Sequence, residues 1–142
     1  MLYFDTSYIV RLYWDDPGFQ PVRDLAATDA IVCCLNGRAE TVSAFHRKRR
    51  EGRLTQAQLA TVITLFEREC AAGAITWLPL SPAVVDRLLR VYVRLPATVS
   101  LRAADAIHLA CAAENQLAAV YSNDQALLQA ASYFGLTARN II

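Results

Sequence analysis

The chain has 142 residues, 55% of them hydrophobic, and a formal net charge of +1. That length holds one domain with a proper core but not two comfortable ones, and a charge so near zero assigns no partner by itself. No stretch is apolar and uncharged for the length of a membrane span. The opening "MLYFD" has no basic region leading into an apolar one, so a cytoplasmic protein without a secretory signal is expected. The four cysteines (Cys33, Cys34, Cys70, Cys111) form no C-x-x-C pair and lie far in sequence from the two histidines. Buried reduced thiols are expected rather than a structural zinc site.

"LYF" (residues 2–4) reads as a short buried strand that runs into Asp5-Thr6-Ser7, a cluster of helix-capping residues. The helix "SYIVRLYW" follows, then a turn at "DDPG" (15–18), a second helix over 21–27 and a buried strand "AIVCCL". Asn36-Gly37 reads as a turn before the helix "RAETVSAFHRKRREG", which Gly52 stops. "TQAQLATVITLFERECAAG" is a long amphipathic helix ending at Gly73, and "AITWLPL" is a strand. "SPAVVDRLLRVYVRL" opens a helix with Ser81 as N-cap and Pro82 in the first position. After Pro96 come a helix over 101–116, a strand in "LAAVYSND", a helix over 124–133 and a last strand in "LTARNI". Strands alternating with helices predict a mainly parallel sheet covered on both faces. The expected architecture is α/β: a three-layer α/β/α sandwich forming a single domain over residues 1–142.

One carboxylate is out of place. Asp105 lies in the apolar run "LRAADAIHLA" (101–110), one helical turn before His108. A buried, unpaired carboxylate costs several kcal/mol, so Asp105 requires a partner. Three other acids fall where a parallel sheet forms its ligand crevice, at or beyond the carboxyl ends of strands. Asp5 ends the first strand, Glu40 lies early in the helix after "AIVCCL", and Asp124 follows "AAVYSN". Four carboxylates brought together repel one another and raise one another's pKa values unless a cation sits between them. A hard divalent ion with oxygen preference, Mg²⁺ or Mn²⁺, fits that set. An ion held in this way suits chemistry on phosphate esters: it activates a water and offsets charge on the departing oxygen. Ser7 is placed to orient a water or a carboxylate. The basic run Arg47, Lys48, Arg49 and Arg50 would hold a polyanion, because phosphate contacts supply most nucleic-acid affinity.

These segments resemble the PIN-domain nucleases, and among them the VapC toxins of bacterial and archaeal toxin–antitoxin pairs. The likeness covers nearly the whole chain: "DTSYIV" after the first strand, "AETVSAFHRKRREGRL", "LRAADAIHLACA" and the ending "VYSNDQALLQAASYFGL". It implies a PIN-like fold with Asp5, Glu40, Asp105 and Asp124 as the four catalytic, metal-holding acids. Ser7 matches the family's small hydroxyl residue, and Ser122 stands where the family carries a supporting hydrogen-bonder. His108 falls behind the acids, in a supporting position. The resemblance further implies a Mg²⁺- or Mn²⁺-dependent endoribonuclease toxin that cleaves structured RNA (tRNA or rRNA) and arrests translation. A homodimer and neutralisation by a cognate antitoxin are implied with it.

Each residue also has a simpler reading. Asp5 and Asp124 serve as helix caps and Glu40 complements a helix dipole. His108 is a metal ligand or general base, or a structural residue. The Arg47–Arg50 run is a phosphate-binding surface or only a solvated helix face. Asp86, Glu67, Glu69 and Glu114 read as solvated faces, and Trp14, Trp77 and Tyr92 as core or dimer contacts rather than base-stacking platforms. Two rival functions remain: a non-catalytic protein-binding module on the nuclease fold, and an aspartyl-phosphate phosphatase. The second lacks the further Asp two residues after Asp5, where Ser7 stands.

Overall fold

The computed structural model describes residues 1–142. Strand β1 (Leu2–Phe4) is three apolar residues long, and the Asp5 carboxylate that follows accepts the Tyr8 N–H and caps α1 (Thr6–Tyr13). A turn through Gly18, whose φ of 80° is the left-handed conformation glycine supplies, leads into α2 (Phe19–Ala26). Strand β2 (Ile31–Cys34) passes directly into α3 (Leu35–Arg50). Helix α4 (Gln56–Ala71) opens on a capping box between Thr55 and Gln58. Strand β3 (Ile75–Leu78) precedes α5 (Pro82–Tyr92), which starts on the Ser81 cap with proline in its first turn. Helix α6 (Ala103–Glu114), strand β4 (Ala119–Tyr121) and helix α7 (Gln125–Ala130) follow. A 3₁₀ turn (Ala131–Phe134) and strand β5 (Thr137–Arg139) complete the chain.

All five strands are parallel, in the order β3-β2-β1-β4-β5. The chain therefore builds outward from β1 on one side, then crosses to build outward on the other. The strand order reverses between β1 and β4, where Tyr3 pairs with Val120 and Phe4 with Tyr121. Open parallel sheets form their crevice at that point, beyond the carboxyl ends. Alternation along each short strand makes the two cores. Leu2, Phe4 and Cys33 face α1 to α4, whereas Tyr3, Val32 and Cys34 face α6 and the chain that follows it. On the first face, Tyr13, Phe45, Phe66 and Trp77 stack edge to face with ring centroids 5.3–6.3 Å apart. Trp77 thus belongs to the core, Trp14 packs partly buried against the same cluster, and Tyr92 donates its hydroxyl to the Leu101 carbonyl at 2.8 Å.

The α/β/α sandwich matches the expected fold class, and four local expectations change. Asn36-Gly37 is no turn: both residues lie in the first turn of α3, which starts at Leu35. Gly37 is there for contact rather than for backbone freedom, because a Cβ would sit 2.5 Å from Cys33 Sγ and 3.2 Å from the His108 ring. Helix α6 starts at Ala103 rather than residue 101, since Arg102 is extended (φ −79°, ψ 155°) and Leu101 is held by Tyr92. Only residues 137–139 of the last predicted strand pair with β4, and the helix expected over 124–133 tightens to a 3₁₀ turn after Ala130.

The turn before α2 is tied to α3 by charge. Lys48 is buried on α3 and ion-paired to Asp16, which also meets Arg53 at 2.6 Å. Burial opposes the Asp16 charge, but the hydrogen bonds from Lys48 and Arg53 outweigh it and hold the Asp16 pKa below its ordinary value. Asp16→Ala leaves the Lys48 ammonium buried without a partner and is expected to cost about 3–5 kcal/mol in urea unfolding at neutral pH. A depressed folded pKa gives stability that is complete above the unfolded value of about 3.9 and is lost as pH falls through the folded one. Unfolding midpoints of wild type and Asp16→Asn should therefore converge below about pH 4; a gap that stays constant would refute the pairing.

Candidate active site

Four carboxylates arrive at the crevice from four segments. Asp5 sits between β1 and α1, Glu40 lies in the second turn of α3, Asp105 in the first turn of α6, and Asp124 caps α7. A cavity of about 680 Å³ opens there, lined mainly by polar and charged side chains, and Glu40, Asp105, Asp124 and Ser7 all face it. Asp5 lies just beneath, only 5% exposed.

The acids are held with very different tightness. Asp5 Oδ1 accepts from Ser7 Oγ at 2.6 Å and the Tyr8 N–H at 3.1 Å, while Oδ2 accepts from Ser122 Oγ. Burial raises the Asp5 pKa above the ordinary carboxylate value despite these bonds. Glu40 Oε2 accepts from Thr6 Oγ1 at 2.5 Å and lies 2.9 Å from His108 Nε2; its Oε1 accepts from Asn36 at 2.8 Å. Half-burial works against the Glu40 charge, but the His108, Thr6 and Asn36 bonds bring its pKa below the usual range. Behind it, His108 Nδ1 stands 3.0 Å from the Tyr3 hydroxyl, so the ring is clamped from both sides. Asp124 Oδ1 accepts the N–H groups of Ala126 and Leu127 at 2.9 and 3.1 Å. Its other oxygen, and Oδ2 of Asp105, meet Arg102 at 3.0 and 3.1 Å. Burial raises the Asp105 pKa, and Arg102 offsets only part of that.

The awkward charge in "LRAADAIHLA" thus has a protein partner three residues upstream, Arg102, at the extended residue just before α6. Arg102 was not among the expected site residues, and neither were Thr6, Asn36, Arg11 and Asp16. The basic run separates. Arg47 and Lys48 line the cavity, and Arg49 and Arg50 do not. Lys48 is no solvated cation, because it is buried against Asp16. Arg11 is also committed, donating to the backbone carbonyls of Ser7 and Pro17. Arg47 is the cavity-lining cation whose side chain makes no hydrogen bond or ion pair within the chain.

As placed, no three of these acids stand close enough to share one ion. The donor set is nevertheless one a hard divalent ion prefers, carboxylate and hydroxyl oxygen throughout. A guanidinium already bridges two of the acids, which marks the spot where positive charge is favoured.

The family model of the PIN domain matches residues 2–132. No curated protein matches the sequence. Among solved structures, FitAB bound to an IR36 DNA fragment contains a chain with TM-score 0.73 and 16% identity, covering 99% of this chain and 94% of that one. Mycobacterium tuberculosis VapC20, a sarcin-ricin loop cleaving toxin, aligns with TM-score 0.71 and 14% identity over 92% of this chain and 95% of its own. With the family model spanning residues 2–132 of the 142, and the fold shared with these structures, the chain belongs to the PIN domain family.

Proposed function

We propose that the chain is a divalent-metal-dependent endoribonuclease of the toxin class, using Mg²⁺ or Mn²⁺ on structured RNA such as tRNA or rRNA. The observation that carries this reading is the meeting of Glu40, Asp105 and Asp124, from three helices, over buried Asp5 at the point where the strand order reverses. Likeness in fold to a toxin that cleaves the sarcin-ricin loop supports RNA as the substrate. Asp5, Glu40, Asp105 and Asp124 are the residues that would hold the ion, which would supply Lewis-acid charge stabilisation at the phosphodiester.

The chain's own residues do the positioning. Ser7 and Ser122 turn both oxygens of Asp5, and Ser7 Oγ also accepts the Asn123 N–H at 3.2 Å, locking the β4–α7 loop to α1. Thr6 and His108 hold Glu40 Oε2, with Tyr3 fixing the ring from behind. Arg47 is the free cation on the cavity wall and takes a backbone phosphate; Arg49 and Arg50, outside the cavity, contribute at longer range. Two copies associate through α5, whose Val85 and Leu89, with Val93 just beyond, form an exposed apolar stripe at helical spacing. A cognate antitoxin covers the cavity, and the protein works in the cytoplasm.

A non-catalytic binding module has one observation in its favour, the neutralisation of Asp105 and Asp124 by Arg102. The phosphatase reading has none, since the position two residues after Asp5, where it needs a second Asp, holds Ser7, whose hydroxyl is spent on Asp5.

Asp105→Asn should lower RNA cleavage by about a hundredfold or more, the loss of several kcal/mol of charge stabilisation, with the far-UV spectrum unchanged. EDTA should abolish cleavage and Mg²⁺ restore it, leaving 5′-phosphate and 3′-hydroxyl ends; 2′,3′-cyclic phosphates would show that the RNA itself supplies the nucleophile. Full activity in EDTA would favour a different centre altogether. Arg47→Ala should weaken RNA binding and reduce the slope of log K against log salt by about 0.7–0.9, whereas Arg50→Ala changes the slope less. Leu89→Glu should convert dimer to monomer in sedimentation; an unchanged mass would move the interface elsewhere. Inhibition of cleavage by the product of an adjacent small gene tests the toxin assignment.

A further inference from the structure

We propose that Arg102 is a built-in counter-ion that competes with the divalent cation for Asp105 and Asp124, and so sets the cation affinity of the site. The inference rests on the nuclease reading of the same cavity and adds a residue which that reading does not use.

Seven of the eight oxygens of the four acids have a partner within the chain, in two groups, and Asp105 Oδ1 has none. Those of Asp5 and Glu40, with Asp124 Oδ1, accept from backbone N–H groups or from buried and half-buried side chains. Asp105 Oδ2 and Asp124 Oδ2 are held by Arg102 alone. Arg102 reaches them from the residue just before α6, and its side chain is 74% exposed, against 13% for Asp105 and 31% for Asp124. It lies across the two acids from the solvent side.

A guanidinium and a divalent cation cannot share those lone pairs. Both need the same oxygens at contact distance, and their like charges repel. Exposed pairs of this kind are weak and screened by salt, so the arm is releasable rather than permanent. Nε and Nη2 bond to oxygens on two different helices, which the planar fork of an arginine does and a single ammonium does not. With Arg102 in place, the cavity wall carries four acids and four bases, so cation-free protein holds no large unbalanced charge there. Entry of the cation exchanges a singly charged guanidinium for a doubly charged ion on the same two carboxylates.

The test is calorimetric titration of the full chain with Mn²⁺ at low ionic strength, for wild type, Arg102→Gln, Arg102→Lys and Asp105→Asn. Arg102→Gln should bind Mn²⁺ about three- to tenfold more tightly than wild type, the size expected for removing two exposed pairs. Arg102→Lys should fall between them, and raising the salt should shrink the difference. Asp105→Asn should weaken binding and so locate it at this site. Equal or weaker binding by Arg102→Gln, with wild type still binding, overturns the competition and leaves the nuclease reading standing. No Mn²⁺ binding by wild type or Arg102→Gln overturns both. Binding by Arg102→Gln alone supports the proposal in its strongest form. Circular dichroism of each variant at the titration temperature separates a changed site from a lost fold.

Discussion

Asp5 is a carboxylate buried at the end of the central strand, and burying such a group costs several kcal/mol unless its lone pairs are met. Two serine hydroxyls and one backbone N–H meet them. Each serine has a second task. Ser7 Oγ accepts the Asn123 N–H, and Ser122 Oγ accepts the Asp124 N–H at 2.9 Å. The charge of Asp5 thereby ties the start of α1 to the chain leaving β4, across the very gap where the strand order reverses. Removing either hydroxyl leaves a buried anion short of a donor and also frees the loop that carries Asp124. Stability and site geometry draw on the same few atoms.

A second tie joins the two helical layers. Tyr3 lies on β1 facing α6, and its hydroxyl receives the Cys34 N–H at 3.1 Å and meets His108 Nδ1. His108 Nε2, the nitrogen facing the carboxylate, donates to Glu40 on α3, which belongs to the opposite layer. Burial opposes a charge on His108, but the Cys33 and Glu40 neighbours turn its pKa upward. Such a reach between layers is short only because Gly37 has no Cβ; any side chain there would press on Cys33 and the His108 ring. One glycine, one histidine and one tyrosine thus decide how far Glu40 stands from the acids of α6 and α7.

Much of this was legible in the sequence, and the exceptions share a cause. The strands, the order of the elements and the four acids at strand ends follow from apolar runs and punctuation, which are local signals. Asn36-Gly37 reads as a turn in the sequence because the use of Gly37 depends on a histidine far along the chain. The Arg47–Arg50 run looks uniform in one dimension, yet successive helical residues turn by about 100° and face different surroundings. Lys48 therefore points inward to Asp16 while Arg47 faces the cavity and Arg50 faces solvent. Arg102 carried a local signal, its spacing to Asp105, but its second partner Asp124 becomes a neighbour only once α6 and α7 pack.

The uneven hold on the four acids has a physical logic. A site in which every carboxylate is fixed by buried bonds is preorganised, yet it pins the oxygens that an incoming cation must take over. A site in which none is fixed repels itself apart. Here the deep acids, Asp5 and Glu40, are oriented by neutral donors and by His108, groups that orient a carboxylate while leaving its remaining lone pairs open. The outer acids, Asp105 and Asp124, are balanced by a charged arm from solvent, which neutralises them without enclosing them. Rigid geometry lies where desolvation is strongest and the strand end must be held, and exchangeable charge lies where water and ions have access. A single exposed arginine can fill that outer role only because the inner acids already have their partners; were Asp5 or Glu40 to depend on it too, its departure would leave a buried charge uncompensated. The division of labour between hydroxyls beneath and guanidinium above is therefore what would let the cavity gain or lose the proposed cation without unfolding its floor.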